Sequence, residues 1–207
     1  MTSLTLFHSH NSPYVRKVMV LAHEAGLAGD ITLVENASGN PLDPGAIPVA
    51  ANPLGKIPVL LRSDGSALYD SRVICQYLDA RAQSGLYPNG PRKWDALVLE
   101  ATADGMLDAA LLMVYEHRLR PDALQFPAYI DGQWSKIARS LDLIEDRWMA
   151  YLAGPLCIGQ IALACALGYL DLRHAAQDWR QGRPALTAWQ IRIAARESLR
   201  VTAPPEA

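Results

Sequence analysis

The chain has 207 residues, half of them apolar, and a formal net charge of −2. That is enough for one large domain or two small ones with a real core, and the near-neutral charge leaves no basic footprint for a nucleic-acid partner. No basic region precedes the short apolar run at the N-terminus, so no signal peptide is expected, and the longest mostly apolar segment, Ile158 to Leu170, falls short of the ~18 residues of a membrane span.

Leu4 to His8 reads as a short strand. Ser12 is a good N-cap and Pro13 suits the first helical position, where its missing N–H costs nothing. The helix that follows buries Val18, Leu21, Ala22 and Ala25 at helical spacing and stops at Gly26. Such a helix start presents backbone N–H groups and a partial positive charge, so it favours an anion. Taken alone, Ser12 is ordinary capping chemistry. Asp30 to Glu35 alternates like a strand, and strand, helix, strand together fit a βαβ unit with parallel strands.

Asn36 to Asn52 is a long, proline-rich loop, with room for a short, weakly signalled helix. Ile57, Val59 and Leu61 alternate as a strand with Pro58 near its start. Asp64-Gly65 marks a hairpin turn, and Ala67 to Tyr69 pairs back. Asp70 or Ser71 caps the next helix, whose expected buried stripe is Val73, Ile74, Tyr77 and Leu78. Three loop features can therefore converge: the helix start at Ser12, the Ile57-Pro58 bend and the helix start at Asp70. Two are anion-favouring, and the third offers extended backbone to a peptide. Together they suit a small peptide carrying carboxylates.

Ser84 to Arg92, rich in Gly and Pro, reads as a linker. Beyond it, Trp94 to Arg118 and Tyr129 to Leu152 read as long helices, the second with Ile137, Leu141, Ile144 and Trp148 on one stripe. Ile161 to Leu172 is apolar nearly all round and should be the buried central helix. Ala185 to Leu199 is the last helix, and Val201 to Ala207 reads as a surface tail. Asp104 and Asp108 lie four apart on one helical face, a solvated or capping pair. Met106, Leu112, Met113 and Tyr115 divide among core, interface and an apolar pocket. The five histidines show no metal spacing; His10 alone lies near Ser12, where it can modulate the site electrostatically. Cys75, Cys157 and Cys165 show neither a C-x-x-C pattern nor metal spacing, so no metal is expected, and an odd count without a signal suits a reducing cytoplasm.

The motifs S-P-Y-V-R-K-V at Ser12 to Val18, N-P-L-G-K-I-P-V-L at Asn52 to Leu60 and Y-D-S-R-V-I-C-Q-Y-L at Tyr69 to Leu78, in this spacing, resemble the glutathione S-transferase superfamily, its serine type and its small bacterial members. A-D-G-M-L-D-A at Ala103 to Ala109 and the run from Ile161 to Arg173 extend the resemblance over nearly the whole chain. It implies an α/β thioredoxin-like domain over 1–83 (βαβ-ββα), a linker over 84–92 and an all-α domain over 93–207. It also implies a cytoplasmic homodimer with one glutathione site per subunit, and no nucleic-acid or membrane partner.

Residue by residue, the resemblance makes Ser12 the hydroxyl facing the glutathione sulfur and gives the Ile57 backbone to the cysteinyl unit. It makes Pro58 a cis proline, assigns Asp70 and Ser71 to the γ-glutamyl end, and gives Asp104 a possible contact to the ligand in the neighbouring subunit. Two departures stand out. The stretch 36–55 holds no basic residue for the glycyl carboxylate, leaving Lys56 as a substitute. Cys157 and Gln160 stand where the superfamily usually has a Ser or Thr cap and an Asp, a weaker cap costing about 1 kcal/mol. The implied reaction is stabilisation of the glutathione thiolate and its addition to a small electrophile, or reduction of a peroxide. A non-catalytic binding protein of the same fold is the alternative. Thiol-disulfide exchange ranks low, because that chemistry needs a cysteine near Ser12.

Overall fold

The computed structural model describes residues 4–35, 37 and 39–205. The start of the long loop, Asn36, and the end of the tail, Ala207, lie outside the described residues. The chain divides into two compact units, one of Met1–Gly90 with Arg196–Ala207 and one of Pro91–Ala195.

In the first unit, strand β1 (Leu4–Phe7) is followed by helix α1 (Pro13–Glu24) and strand β2 (Ile31–Val34). Strands β3 (Val59–Leu61) and β4 (Ala67–Leu68) and helix α2 (Ser71–Ala82) complete the expected order. The sheet runs β2-β1-β3-β4. β1 pairs β2 in parallel, as a strand-helix-strand unit requires, and pairs β3 antiparallel. β3 and β4 form the hairpin around Asp64-Gly65, where Gly65 takes φ +82. Leu4, Leu6, Val18, Leu21, Leu60, Ile74 and Leu78 are fully buried and form its core.

Helix α2 turns its stripe differently from the expectation. Ser71, Ile74, Cys75 and Leu78 are buried, whereas Val73 is 45% exposed. The stripe set by 71, 74, 75 and 78 is the true i, i+3, i+4, i+7 face, and the small Cys75 fills the place that Val73 was expected to take.

The second unit holds α3 (Arg92–Leu119), α4 (Pro127–Arg147), α5 (Met149–Leu152), α6 (Ile158–Arg173) and α7 (Pro184–Ala194). Helix α6 is buried over nearly its whole length and packs on α3, as its apolar composition requires. Gly159 makes that approach possible: a Cβ there would lie 2.8 Å from the Ala96 carbonyl oxygen and 2.9 Å from the Leu99 Cβ. The expected single helix to Leu152 is interrupted at Trp148, which ends α4. Its stripe of Ile137, Leu141 and Ile144 is fully buried.

Two expectations for the C-terminal half change. The helix start at Cys157 keeps the Gln160 half of its cap, because Gln160 Oε1 accepts from the Cys157 N–H at 3.1 Å, and Gln160 Nε2 donates to Leu152 O at 3.2 Å. Glutamine at the third helical position supplies half of a capping box whatever the cap residue. The last helix breaks at 195–196, and α8 (Glu197–Val201) packs on α1 in the first unit. Arg196 donates to both carboxylate oxygens of Glu24, at 2.8 and 2.7 Å, and Arg16 donates to Leu199 O at 3.1 Å. These bonds tie residues 196–205 to the N-terminal unit, whereas the sequence reading placed them with the helices.

Candidate active site

Sheet register gathers the three predicted loop features. Phe7 pairs with Val59, so residue 58 stands beside residue 8, where the chain leaves β1 for Ser12. Leu60 pairs with Leu68, so the chain leaves β4 for Asp70 at the same end of the sheet. The antiparallel pairing of β1 with β3 and the β3–β4 hairpin thus bring Ser12, Ile57-Pro58 and Asp70-Ser71 to one end of the sheet, although Asp70 follows Ser12 by 58 positions.

Ser12 is the N-cap of α1, extended at φ −86, ψ 116, with Pro13 at the first helical position. Its Oγ accepts from the Val15 N–H at 3.3 Å. A serine hydroxyl has one proton and two acceptor sites, so accepting from Val15 leaves the proton available to donate. The helix start therefore offers an anion both a donated O–H and the positive end of a helix dipole. Ser12 is half-buried, which moderates solvent screening.

The Ile57-Pro58 peptide is cis, as expected. Among the described residues, neither backbone group of Ile57 has a hydrogen-bond partner. A segment leading into a strand, with its N–H and C=O unpartnered among the described residues, can pair with a peptide ligand in strand fashion. Pro58 is buried and Lys56 is exposed.

Asn52 holds this segment, and the sequence reading did not single it out. It is 2% exposed; its Nδ2 donates to Lys56 O at 2.8 Å and its Oδ1 accepts from the Leu54 N–H at 3.1 Å. A buried asparagine satisfied by its own loop fixes the path into Pro58. Its position directly before Pro53 and three before a φ-positive Gly55 was the available signal.

Asp70 resolves the capping alternative: it is the N-cap of α2, accepting from the Arg72 N–H at 2.9 Å through Oδ1. Its Oδ2 lies 3.9 Å from Arg72 Nε and remains exposed. The peptide before it is cis. Ser71 takes the first helical position and is 2% exposed. A carboxylate facing outward beside a hydroxyl at a helix start can hold an ammonium and a carboxylate on adjacent atoms of one ligand.

Asp104 belongs to the other unit. It is 2% exposed on α3, whereas Asp108 is exposed, so the expected pair divides between core and solvent. Met106 and Met113 are core, and Leu112 is 42% exposed.

Comparison with known proteins bears on this site. Residues 11–81 match the family model "Glutathione S-transferase, N-terminal domain", and residues 127–189 match "Glutathione S-transferase, C-terminal domain". The chain is 35% identical to the "Uncharacterized GST-like protein YibF" of Escherichia coli K12, over 99% of this chain and all of that one. A crystal structure of a glutathione transferase family member from Pseudomonas fluorescens Pf-5, with bound glutathione, superposes with TM-score 0.95 at 46% identity, covering 98% of this chain and 100% of that one. A second structure from the same organism, with bound S-(propanoic acid)-glutathione, superposes with TM-score 0.91 at 45% identity over the same shares.

Proposed function

Because the chain belongs to the glutathione S-transferase family, we propose that it binds glutathione at the sheet end carrying Ser12, Ile57 and Asp70, and transfers its sulfur to a small electrophilic carbon. The observation that carries this reading is the Ser12 hydroxyl at the start of α1, which accepts from Val15 and keeps its proton for a thiolate. The bound S-substituted glutathione in the Pseudomonas relative supports transfer at sulfur.

In this reading the glutathione thiol gives its proton to solvent, and the thiolate remains under the Ser12 hydroxyl. The sulfur lone pair then forms the C–S bond as the electrophile releases its leaving group with the bonding electrons. Ser12 does not enter a covalent bond. Ile57 pairs with the cysteinyl backbone, Asp70 takes the γ-glutamyl ammonium, and Ser71 donates to the γ-glutamyl carboxylate. Lys56, exposed beside Ile57, faces the glycyl carboxylate by charge.

The reading includes a homodimer in the cytoplasm. Val73 on α2, and Trp94 and Val98 one turn apart on α3, are 45%, 67% and 54% exposed, apolar surface that a second subunit can cover. The reading keeps Asp104 on α3, 2% exposed within its own chain, as a contact to the ligand in the neighbouring subunit. No helix among the described residues is long and apolar enough to cross a membrane.

The test is retention on immobilised glutathione, followed by a panel of aryl halides, enones and peroxides at fixed glutathione. Retention with turnover of a carbon electrophile is the expected result. Retention without turnover of any member favours a binding protein, and no retention overturns the reading. Light scattering at micromolar concentration should give twice the chain mass of 22.6 kDa.

A further inference from the structure

The alternation of β1 and β2 places two side chains outside the peptide-binding set on one face at the strand ends. Leu4, Leu6 and His8 are the buried positions of the first strand and its continuation. The parallel register pairs Phe7 with Val34, so the next pair is His8 with Glu35. Backbone bonds extend that pairing past the strands: His8 N–H donates to Val34 O at 2.9 Å, and Ala37 N–H donates to His8 O at 3.0 Å. His10 then returns toward the same point from a tight turn closed by Ser12 N–H to Ser9 O at 3.0 Å.

The outcome is a compact donor set. Glu35 Oε2 lies 3.0 Å from His8 Nδ1 and 3.4 Å from His10 Nε2. All three donor atoms lie within 4.8 Å of one another. The two imidazole rings meet edge to face, with centroids 4.5 Å apart at 84°. We propose that His8, His10 and Glu35 form a binding site for a divalent d-block cation, with zinc as its natural test ion.

Donor spacing supports this. Two donors about 2.0–2.1 Å from one zinc ion in tetrahedral geometry are separated by roughly 3.3–3.4 Å. The two distances to Glu35 bracket that value, so its carboxylate oxygen already stands at ligand spacing from each imidazole nitrogen. Two imidazoles and one carboxylate select borderline metals such as zinc over magnesium or calcium, which prefer oxygen. Three protein ligands leave a fourth position for water or another small donor. His8 is 7% exposed and tied by its backbone on both sides, while His10 and Glu35 are open to solvent. One fixed ligand and two accessible ones give the ion an entry path. The sequence offered no helical or C-x-x-C spacing for this set, because Glu35 arrives from a different strand. The site goes beyond the proposed glutathione reaction and requires no step of it.

The test is calorimetric titration of the chelator-stripped full chain with zinc. The cysteines do not compete, since Cys75, Cys157 and Cys165 are at most 1% exposed. One equivalent should bind, and His10→Ala and Glu35→Gln should each weaken it by at least about tenfold, since even outer-shell changes typically cost 10–100-fold. His117→Ala, on α3 in the second unit, should leave it unchanged. Both site variants change exposed side chains, so folding is expected and is checked by thermal melting. Zinc should raise the melting temperature of the wild type but not of Glu35→Gln. Absence of saturable binding in the wild type overturns the proposal. So does equal affinity in wild type, His10→Ala and Glu35→Gln, which would leave only a hydrogen-bonded His–Glu–His cluster.

Discussion

Ser12→Ala separates two roles that one oxygen plays. As a cap, Ser12 Oγ accepts from Val15 N–H at 3.3 Å, a long bond, so its loss should cost about 0.5–1 kcal/mol, the low half of the usual range for capping residues. As a donor to a thiolate, the hydroxyl is worth more: a hydrogen bond to a charged group contributes ~1.5–3 kcal/mol. The helix start adds ~0.3–1, up to ~2 when partly buried. Lowering a thiol from ~8.5 by two units needs about 2.7 kcal/mol, at 1.36 per unit. The helix and the hydroxyl together reach that sum, and removing the hydroxyl should raise the bound thiol by roughly one to two units. At neutral pH the thiolate fraction then falls from about three-quarters to between about a quarter and a few per cent, starting from a bound value near ~6.5. A more basic thiolate is also more nucleophilic, with a Brønsted slope of ~0.4–0.5. That recovers much of the loss, so turnover at neutral pH should fall only about one- to fourfold from this cause. Turnover is therefore the wrong assay. Thiolate absorbance of bound glutathione against pH is the right one. Its midpoint should move upward in Ser12→Ala while affinity stays within a few fold. Superimposable titration curves for wild type and variant would reduce Ser12 to a helix cap.

Asp70→Ala should weaken glutathione binding by on the order of 10- to 100-fold, the loss of one charged hydrogen bond. Asp70→Asn keeps the cap to Arg72 N–H, so if it weakens binding equally, the lost charge and not a frayed α2 is responsible; calorimetry reads both, and full affinity in Asp70→Ala sinks the assignment. Gly159→Ala should destabilise the fold by ~1–3 kcal/mol in urea titration, because its methyl meets the Ala96 carbonyl oxygen at 2.8 Å, backbone that cannot swing aside; an unchanged midpoint would mean that α6 shifts on α3 without cost. The hydrogen bond from Arg196 holds the Glu24 carboxyl below its ordinary 4.5, against the opposing effect of burial. A depressed carboxyl contributes stability above its unfolded value that is lost as pH falls through its folded one. Below 4.5, wild-type stability should therefore drop more steeply than that of Glu24→Gln, and parallel pH profiles would show that the contact to 196–205 contributes nothing.

Much of this protein is local, and local chemistry is legible in order along the chain. Ser12-Pro13 started a helix because a hydroxyl cap and a fixed φ act within four residues. Asp64-Gly65 made a hairpin because only the turn itself must be satisfied. The run around Ile161 became the buried helix because an all-apolar surface has no solvent face to turn outward. The three motif loops could be named for the same reason. Their meeting at one end of the sheet could not be derived from them: it rests on pairing Phe7 with Val59 and Leu60 with Leu68, contacts between distant residues that register alone decides. Tertiary packing likewise chose Cys75 over Val73 for the core face of α2. It broke the last helix at 195–196, so that Arg196 could reach Glu24, 172 residues away. It also set Glu35 against His8 and His10, which no spacing along the sequence connects. Caps and turns are decided by neighbours in sequence, whereas which side chains share a site is decided by neighbours in space.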